Sequence, residues 1–146
     1  MTIARIIALS STLILAACSA PRNTTADLSE QPCGDNPRCV STQDNREEFE
    51  LASFILTPNA TIDQIAQVAL SFHRSELADK RDDYLRIEYT SEIFGYIDDM
   101  ELKIKDGRLI VRSEARIGYY DFKVNRDRVE AFRAKLIETG LVIANP

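Results

Sequence analysis

Asp98-Asp99-Met100-Glu101-Leu102-Lys103-Ile104-Lys105-Asp106-Gly107-Arg108-Leu109-Ile110-Val111-Arg112-Ser113-Glu114-Ala115 reads as a single β-hairpin. Asp-Gly suits a two-residue turn in which both central residues take positive φ, and apolar and charged residues alternate on either side. Such a turn fixes the register: Ile104 faces Leu109, Leu102 faces Val111 and Met100 faces Ser113. On the opposite face Glu101 lies across from Arg112, and Asp99 lies diagonal to Arg112 and Arg116. Cross-strand charge pairs of this kind contribute a few tenths to about 1 kcal/mol each. The same register places Asp98 opposite Ala115 on the apolar side, where a carboxylate needs a partner.

Outward from the hairpin, Leu85, Ile87 and Tyr89 alternate with Arg86, Glu88 and Thr90, which predicts a half-buried strand. Phe49 to Leu56 is short, apolar and closed by Pro58-Asn59, and predicts another strand. Thr61-Ile62-Asp63-Gln64 is a capping box, and Ile62, Ile65, Ala69 and Phe72 follow at helical spacing, so a helix is expected as far as Ala78. His73 falls near its apolar stripe as a packed residue, and Asp79 to Asp83 reads as a turn. Beyond the hairpin, Tyr119 and Tyr120 suit either a pocket wall or a packed corner. Asn125 is placed to cap a second helix, with Val129, Phe132 and Leu136 inside and Gly140-Leu141 ending it. The expected fold is α+β: an antiparallel sheet of about four strands in the order β-α-β-β-β-α, with both helices on one face.

The 146 residues are 45% apolar and 28% charged, which suits one domain and excludes disorder throughout. Lys and Arg number 18 against 23 Asp and Glu, a net charge of -5 without the positive field that nucleic-acid binding needs. At the start, Arg5 precedes the apolar run Ile6 to Ala17, too short to span a bilayer and suited to a secretory signal. The run ends Leu15-Ala16-Ala17-Cys18, which resembles the lipobox of bacterial lipoproteins. The resemblance implies cleavage after residue 17, lipidation of Cys18 and stable anchoring by more than one acyl chain. Ser19 rather than Asp after the Cys implies, by analogy with enteric bacteria, an outer-membrane location facing the periplasm.

Residues 18–47 are polar, with little apolar periodicity, and read as a lipidated tether leading to a domain over 48–146. Within it, Cys33-Gly34-Asp35-Asn36-Pro37-Arg38-Cys39 carries two Cys around a turn, and in an exported chain these favour a disulfide. Zinc is the competing reading, but Cys33, Cys39 and His73 supply too few ligands at unsuitable spacing. No metal and no cofactor is expected. C-x-x-C, a Ser-His-Asp set, a phosphate loop and a dinucleotide glycine pattern are all absent from the sequence.

Gly95-Tyr96-Ile97-Asp98-Asp99-Met100-Glu101, Arg112 to Gly118, Asp121 and Asn125-Arg126-Asp127-Arg128-Val129 resemble the DUF1499 family, conserved proteins with no established activity. The family pattern runs F-x-D-D-x-E-F, then R-S-x-S-R-x-G-x-x-D-x-G-x-N-R, preceded by a Cys-Pro…Cys-Val-Ser element that Cys33 to Ser41 matches. Ala115 stands where the family usually has Ser, Lys123 where it usually has Gly, and Gly34 where Pro is common. The loss of glycine at 123 suggests that a tight backbone conformation there is not obligatory. The resemblance implies a fold and, here, an envelope location, but no reaction.

Two functional readings follow. In the first, the chain is a membrane-anchored envelope lipoprotein of non-catalytic, binding or structural role, whose partners are the membrane through Cys18 and an envelope protein or small anionic ligand. Asp98 is then structural, held by buried backbone, Asn125 or Arg126. In the second, Asp98, Asp99, Arg112, Ser113, Arg116, Asp121, Asn125 and Arg126 form an anion-binding site, with Asp98 or Asp121 as base and Arg112 or Arg116 as clamp. The second needs both kinds of charge lining one concave pocket.

Overall fold

The computed structural model describes residues 26–144, so the signal and Cys18 lie outside the described residues. The elements are β1 (Cys39–Ser41), β2 (Phe54–Ile55), α1 (Ile62–Leu70), β3 (Ser75–Lys80), β4 (Tyr84–Thr90), β5 (Ile97–Lys105), β6 (Arg108–Ala115) and α2 (Val124–Glu138). The sheet runs β1-β6-β5-β4-β3, with β2 also pairing with β6. The α+β class stands, with six strands in place of four.

The hairpin has the expected register, residue for residue: Ile104 pairs with Leu109, Leu102 with Val111, Met100 with Ser113, Glu101 with Arg112 and Asp98 with Ala115. Asp106 and Gly107 both take positive φ, at 51° and 71°, as the turn requires. Leu85, Ile87, Met100, Leu102, Leu109 and Val111 on one face share a core with Ile65 and Ala69 of α1 and Val129, Phe132 and Leu136 of α2. Both helices therefore cover the same face. Gly140 at φ 72° ends α2, and Leu141 is buried behind it.

The added strands are those with little apolar patterning. The Thr61–Gln64 capping box forms, but α1 stops at Leu70 rather than Ala78. The Ser71 hydroxyl donates to the Val68 carbonyl at 2.7 Å, and Arg74 turns left-handed at φ 58°. Ser75 to Lys80 then pairs along β4 as an edge strand, charged and broken by a register shift between Leu77 and Asp79, features that deter edge-to-edge association. His73 lies exposed in the turn, not packed on a helix. Of the strand expected over 49–56, only Phe54–Ile55 forms a ladder, because Ser41 and Leu109 offer separate partners along this edge.

The larger correction concerns the tether. From Asp27 onward the chain is a strap across the second face of the sheet. Lys103 donates to Asp27 at 3.0 Å and Lys105 to Glu30 at 3.0 Å near the hairpin turn. The Leu28 amide donates to Glu101, and at the far end Arg38 donates to the Gly118 carbonyl at 2.8 Å. Cys33 and Cys39 form the disulfide, buried beside Phe49. Cys39–Ser41 then enters the sheet against β6. Apolar periodicity could not reveal this packing, because the strap and the face beneath it attract through charge.

Candidate functional site

Neighbours on a strand point to opposite faces, so Asp98 and Asp99 diverge. Asp98 turns toward the helices. Arg128 donates through Nη2 to Asp98 Oδ2 at 2.8 Å and through Nη1 to Asn125 Oδ1 at 2.9 Å. Ser113 donates to the same Asn125 oxygen at 2.6 Å, and Asn125 Nδ2 donates to Asp121 at 2.8 Å. The Arg128 guanidinium lies 4.7 Å from the Tyr89 ring centroid. Burial pushes the Asp98 carboxyl above its ordinary value, and the Arg128 charge pulls it back. Buried backbone, Asn125 or Arg126 is the expected partner of Asp98; the side chain found on it is Arg128. Arg126 points outward and donates to the Glu50 and Glu48 carbonyls at 2.9 and 3.0 Å.

Asp99 turns to the opposite face of the sheet and is 1% exposed. It accepts from Arg86 at 3.0 Å and from Arg116 at 2.7 and 2.9 Å. Glu88, directly opposite Asp99 in the ladder, accepts from Arg86 at 2.9 Å and from Arg116 as well. Two guanidinium groups thus hold together two carboxylates that would otherwise repel. Asp99, foremost, raises the Arg116 pKa above its ordinary value. Arg112 pairs with Glu114 at 2.9 Å, and Arg86 joins Arg116 in holding Asp99. A polar face that sequence alternation placed in water is a buried ionic layer.

Asp121 is the capping group of α2. Its side chain accepts from the Lys123 amide at 3.0 Å and the Asn125 amide at 3.0 Å. Asn125 is therefore a buried member of the first turn instead of the cap. Phe122 and Lys123 are left-handed, at φ 57° and 66°. The conformation that favours glycine is kept at 123 despite the lysine, contrary to what the substitution suggested. Ala115, where the family usually has Ser, is 7% exposed and pairs with Asp98.

A cleft of about 650 Å³ opens between the disulfide loop and the start of α2, bordered by Pro37, Arg46, Tyr120, Asp121, Lys123 and Arg126. Two of the candidate residues, Asp121 and Arg126, reach it. Asp98, Ser113 and Asn125 lie under the helices, whereas Asp99, Arg112 and Arg116 belong to the opposite face of the sheet. Through the Asn125–Asp121 bond the cleft adjoins the group under the helices, and the other three stand apart. A base at Asp98 and an anion clamp at Arg112 or Arg116 are on opposite faces of the sheet.

Sequence reasoning missed Arg128, Arg86 and Glu88. Arg128 was within reach: three residues after Asn125, it shares that residue's helix face, where the buried carboxylate needed a cation. Arg86 and Glu88 alternate with the core residues of β4, a pattern that carries no sign of the strap above them.

The arrangement defines a small α+β domain in which arginines hold both Asp98 and Asp99. The chain belongs to the DUF1499 family of proteins of unknown function, whose model matches residues 29–136 and so includes the disulfide loop and the strap from Ser29 onward. No curated protein and no solved structure matches the chain.

Proposed function

We propose that this protein is a membrane-anchored cell-envelope lipoprotein whose domain is a non-catalytic binding or structural module. The observation that carries the non-catalytic reading is the closed pairing of Asp99 with Arg86 and Arg116, in which neither the carboxylate nor the guanidinium groups are presented to a substrate. The alternative, an enzyme acting on a small anionic envelope substrate through an Asp/Arg site, keeps Asp121 and Arg126 in one cleft but not the clamps Arg112 and Arg116. The Cys33–Cys39 disulfide supports an oxidising compartment, in keeping with export and a periplasm-facing outer-membrane location. Leu15 to Cys18 supports the anchor at Cys18. Intact-mass measurement of the chain extracted from its own membrane tests the anchor. The expected mass is that of a chain beginning at Cys18 with diacylglyceryl and acyl additions, and Cys18→Ala should release the protein from the membrane fraction. An unmodified Cys18 would overturn the anchoring.

A further inference from the structure

The cleft beside the disulfide loop carries charges that the fold does not use. Arg46, on one wall, donates to Asp44 and to the Cys33 carbonyl, both at 2.7 Å. Arg126 bridges from α2 to the Glu48 and Glu50 carbonyls, and Asp121 is taken up in capping α2. These bonds fix the walls, so the cleft is formed before any ligand arrives. Lys123, Glu47 and Glu48 also line it, and all three are exposed. None of their side chains makes a hydrogen bond or an ion pair with a described residue. One ammonium and two carboxylates thus share a cavity without neutralising one another, with Pro37 and Tyr120 among the same lining residues.

Lys123 is the most telling of the three. Its backbone is left-handed at φ 66°, where glycine is favoured, and the Asp121 cap uses only its amide. The fold therefore bears the cost of a side chain whose charge has no partner among the described residues. Free charges of both signs suit a ligand that carries both, an ammonium and a carboxylate, with apolar groups between them. A lone anion would be repelled by Glu47 and Glu48. A space of about 650 Å³ is about 11 Å across, the length of three extended residues at about 3.5 Å each. A phosphoethanolamine headgroup has only two carbons between its charges and would leave Pro37 and Tyr120 uncovered.

We propose that this cleft binds a short peptide with both termini free and small apolar side chains, its carboxylate at Lys123 and its ammonium at Glu47 and Glu48; the proposal rests on the binding-module reading above and names its ligand. The test titrates the full chain, isotope-labelled and held in detergent micelles, with trialanine while amide NMR shifts are followed. Saturable shifts in the millimolar range are expected at residues 46–48 and 120–123. N-acetyl-trialanine and trialanine amide should each bind about fivefold more weakly, as should trialanine to the Lys123→Gly and Glu47→Gln/Glu48→Gln variants. Lys123→Gly should at the same time have a higher urea midpoint, which separates lost binding from lost folding. No saturable shift at these residues, equal affinity for the blocked peptides, or unchanged affinity in either variant would overturn the proposal. So would acetate or phosphoethanolamine binding there as tightly as trialanine, marking an anion site or a headgroup site. Cleavage of the bound trialanine would instead end the non-catalytic reading and leave the peptide site standing.

Discussion

Arg128, on the first turns of α2, reaches down to Asp98 on β5 and binds it at 2.8 Å. The two side chains are 14% and 11% exposed, and the contact ties the helix layer to a position of β5 where the apolar face carries a charge. Through Asn125 the same guanidinium also holds Ser113. The contact explains how a carboxylate is tolerated on that side of the sheet.

Removing only the cation should therefore be worse than removing both charges. Arg128→Met is expected to cost about 3 kcal/mol, because it leaves a buried carboxylate without its counter-ion. The double variant Asp98→Asn/Arg128→Met should regain more than half of that loss. Equilibrium urea unfolding of the two variants and the parent checks the order.

Asp44 and Asp98 should give opposite pH dependences. Asp44 accepts from Arg46 at 2.7 and 2.9 Å and from the Cys33 amide at 3.0 Å, and the Arg46 bonds, foremost, hold its carboxyl far below the usual range. Its contribution is complete above the unfolded carboxylate value near pH ~4 and is lost as pH falls through the depressed folded value. Asp98 is raised by burial, so its contribution is complete below the unfolded value and is lost as pH rises through the folded one. Asp44→Asn should flatten the acid limb of stability, and Asp98→Asn should remove a decline on the other side of pH ~4. Chemical denaturation across that range distinguishes them.

Lys123 holds φ at 66°, a conformation that costs a side-chain-bearing residue about 1 kcal/mol relative to glycine. Lys123→Gly should raise stability by about that amount, since the Asp121 cap uses only the backbone amide at 123. A higher urea midpoint with an unchanged denaturant slope is the expected readout.

The disulfide closes a loop with a sequence separation of 6 and holds the strap beside Phe49. Cys33→Ser/Cys39→Ser should lower stability by about 2 kcal/mol. The same measurement on the reduced parent should give a similar loss.

How much could be read in advance depended on the force that forms each element. Apolar alternation and turn chemistry act locally, so β4, the hairpin, its register and the Gly140 helix end were legible, as were the disulfide and the family. Ser75 to Lys80 has little apolar patterning, so only its pairing with β4 makes it a strand. Asp27 to Arg38 is held by ion pairs to Lys103, Lys105 and Glu114 across more than 70 residues, contacts that no local window contains. Among the candidate residues Asp98, Asp99, Arg112, Ser113 and Asn125 are buried polar groups. Their grouping failed because strand alternation sends Asp98 and Asp99 apart, and because a covering segment made the second face an interior.

If the motif charges hold the fold together instead of serving a substrate, the domain must lose stability without Arg116. Its guanidinium is committed to Asp99 at 2.7 Å, with Glu88 as a second acceptor. Urea unfolding of Arg116→Met is the measurement. The account predicts a loss of about 3 kcal/mol, reflecting carboxylates left buried and mutually repelling. Stability equal to that of the parent would contradict it, since an arginine the fold can spare would be free to hold an anionic ligand.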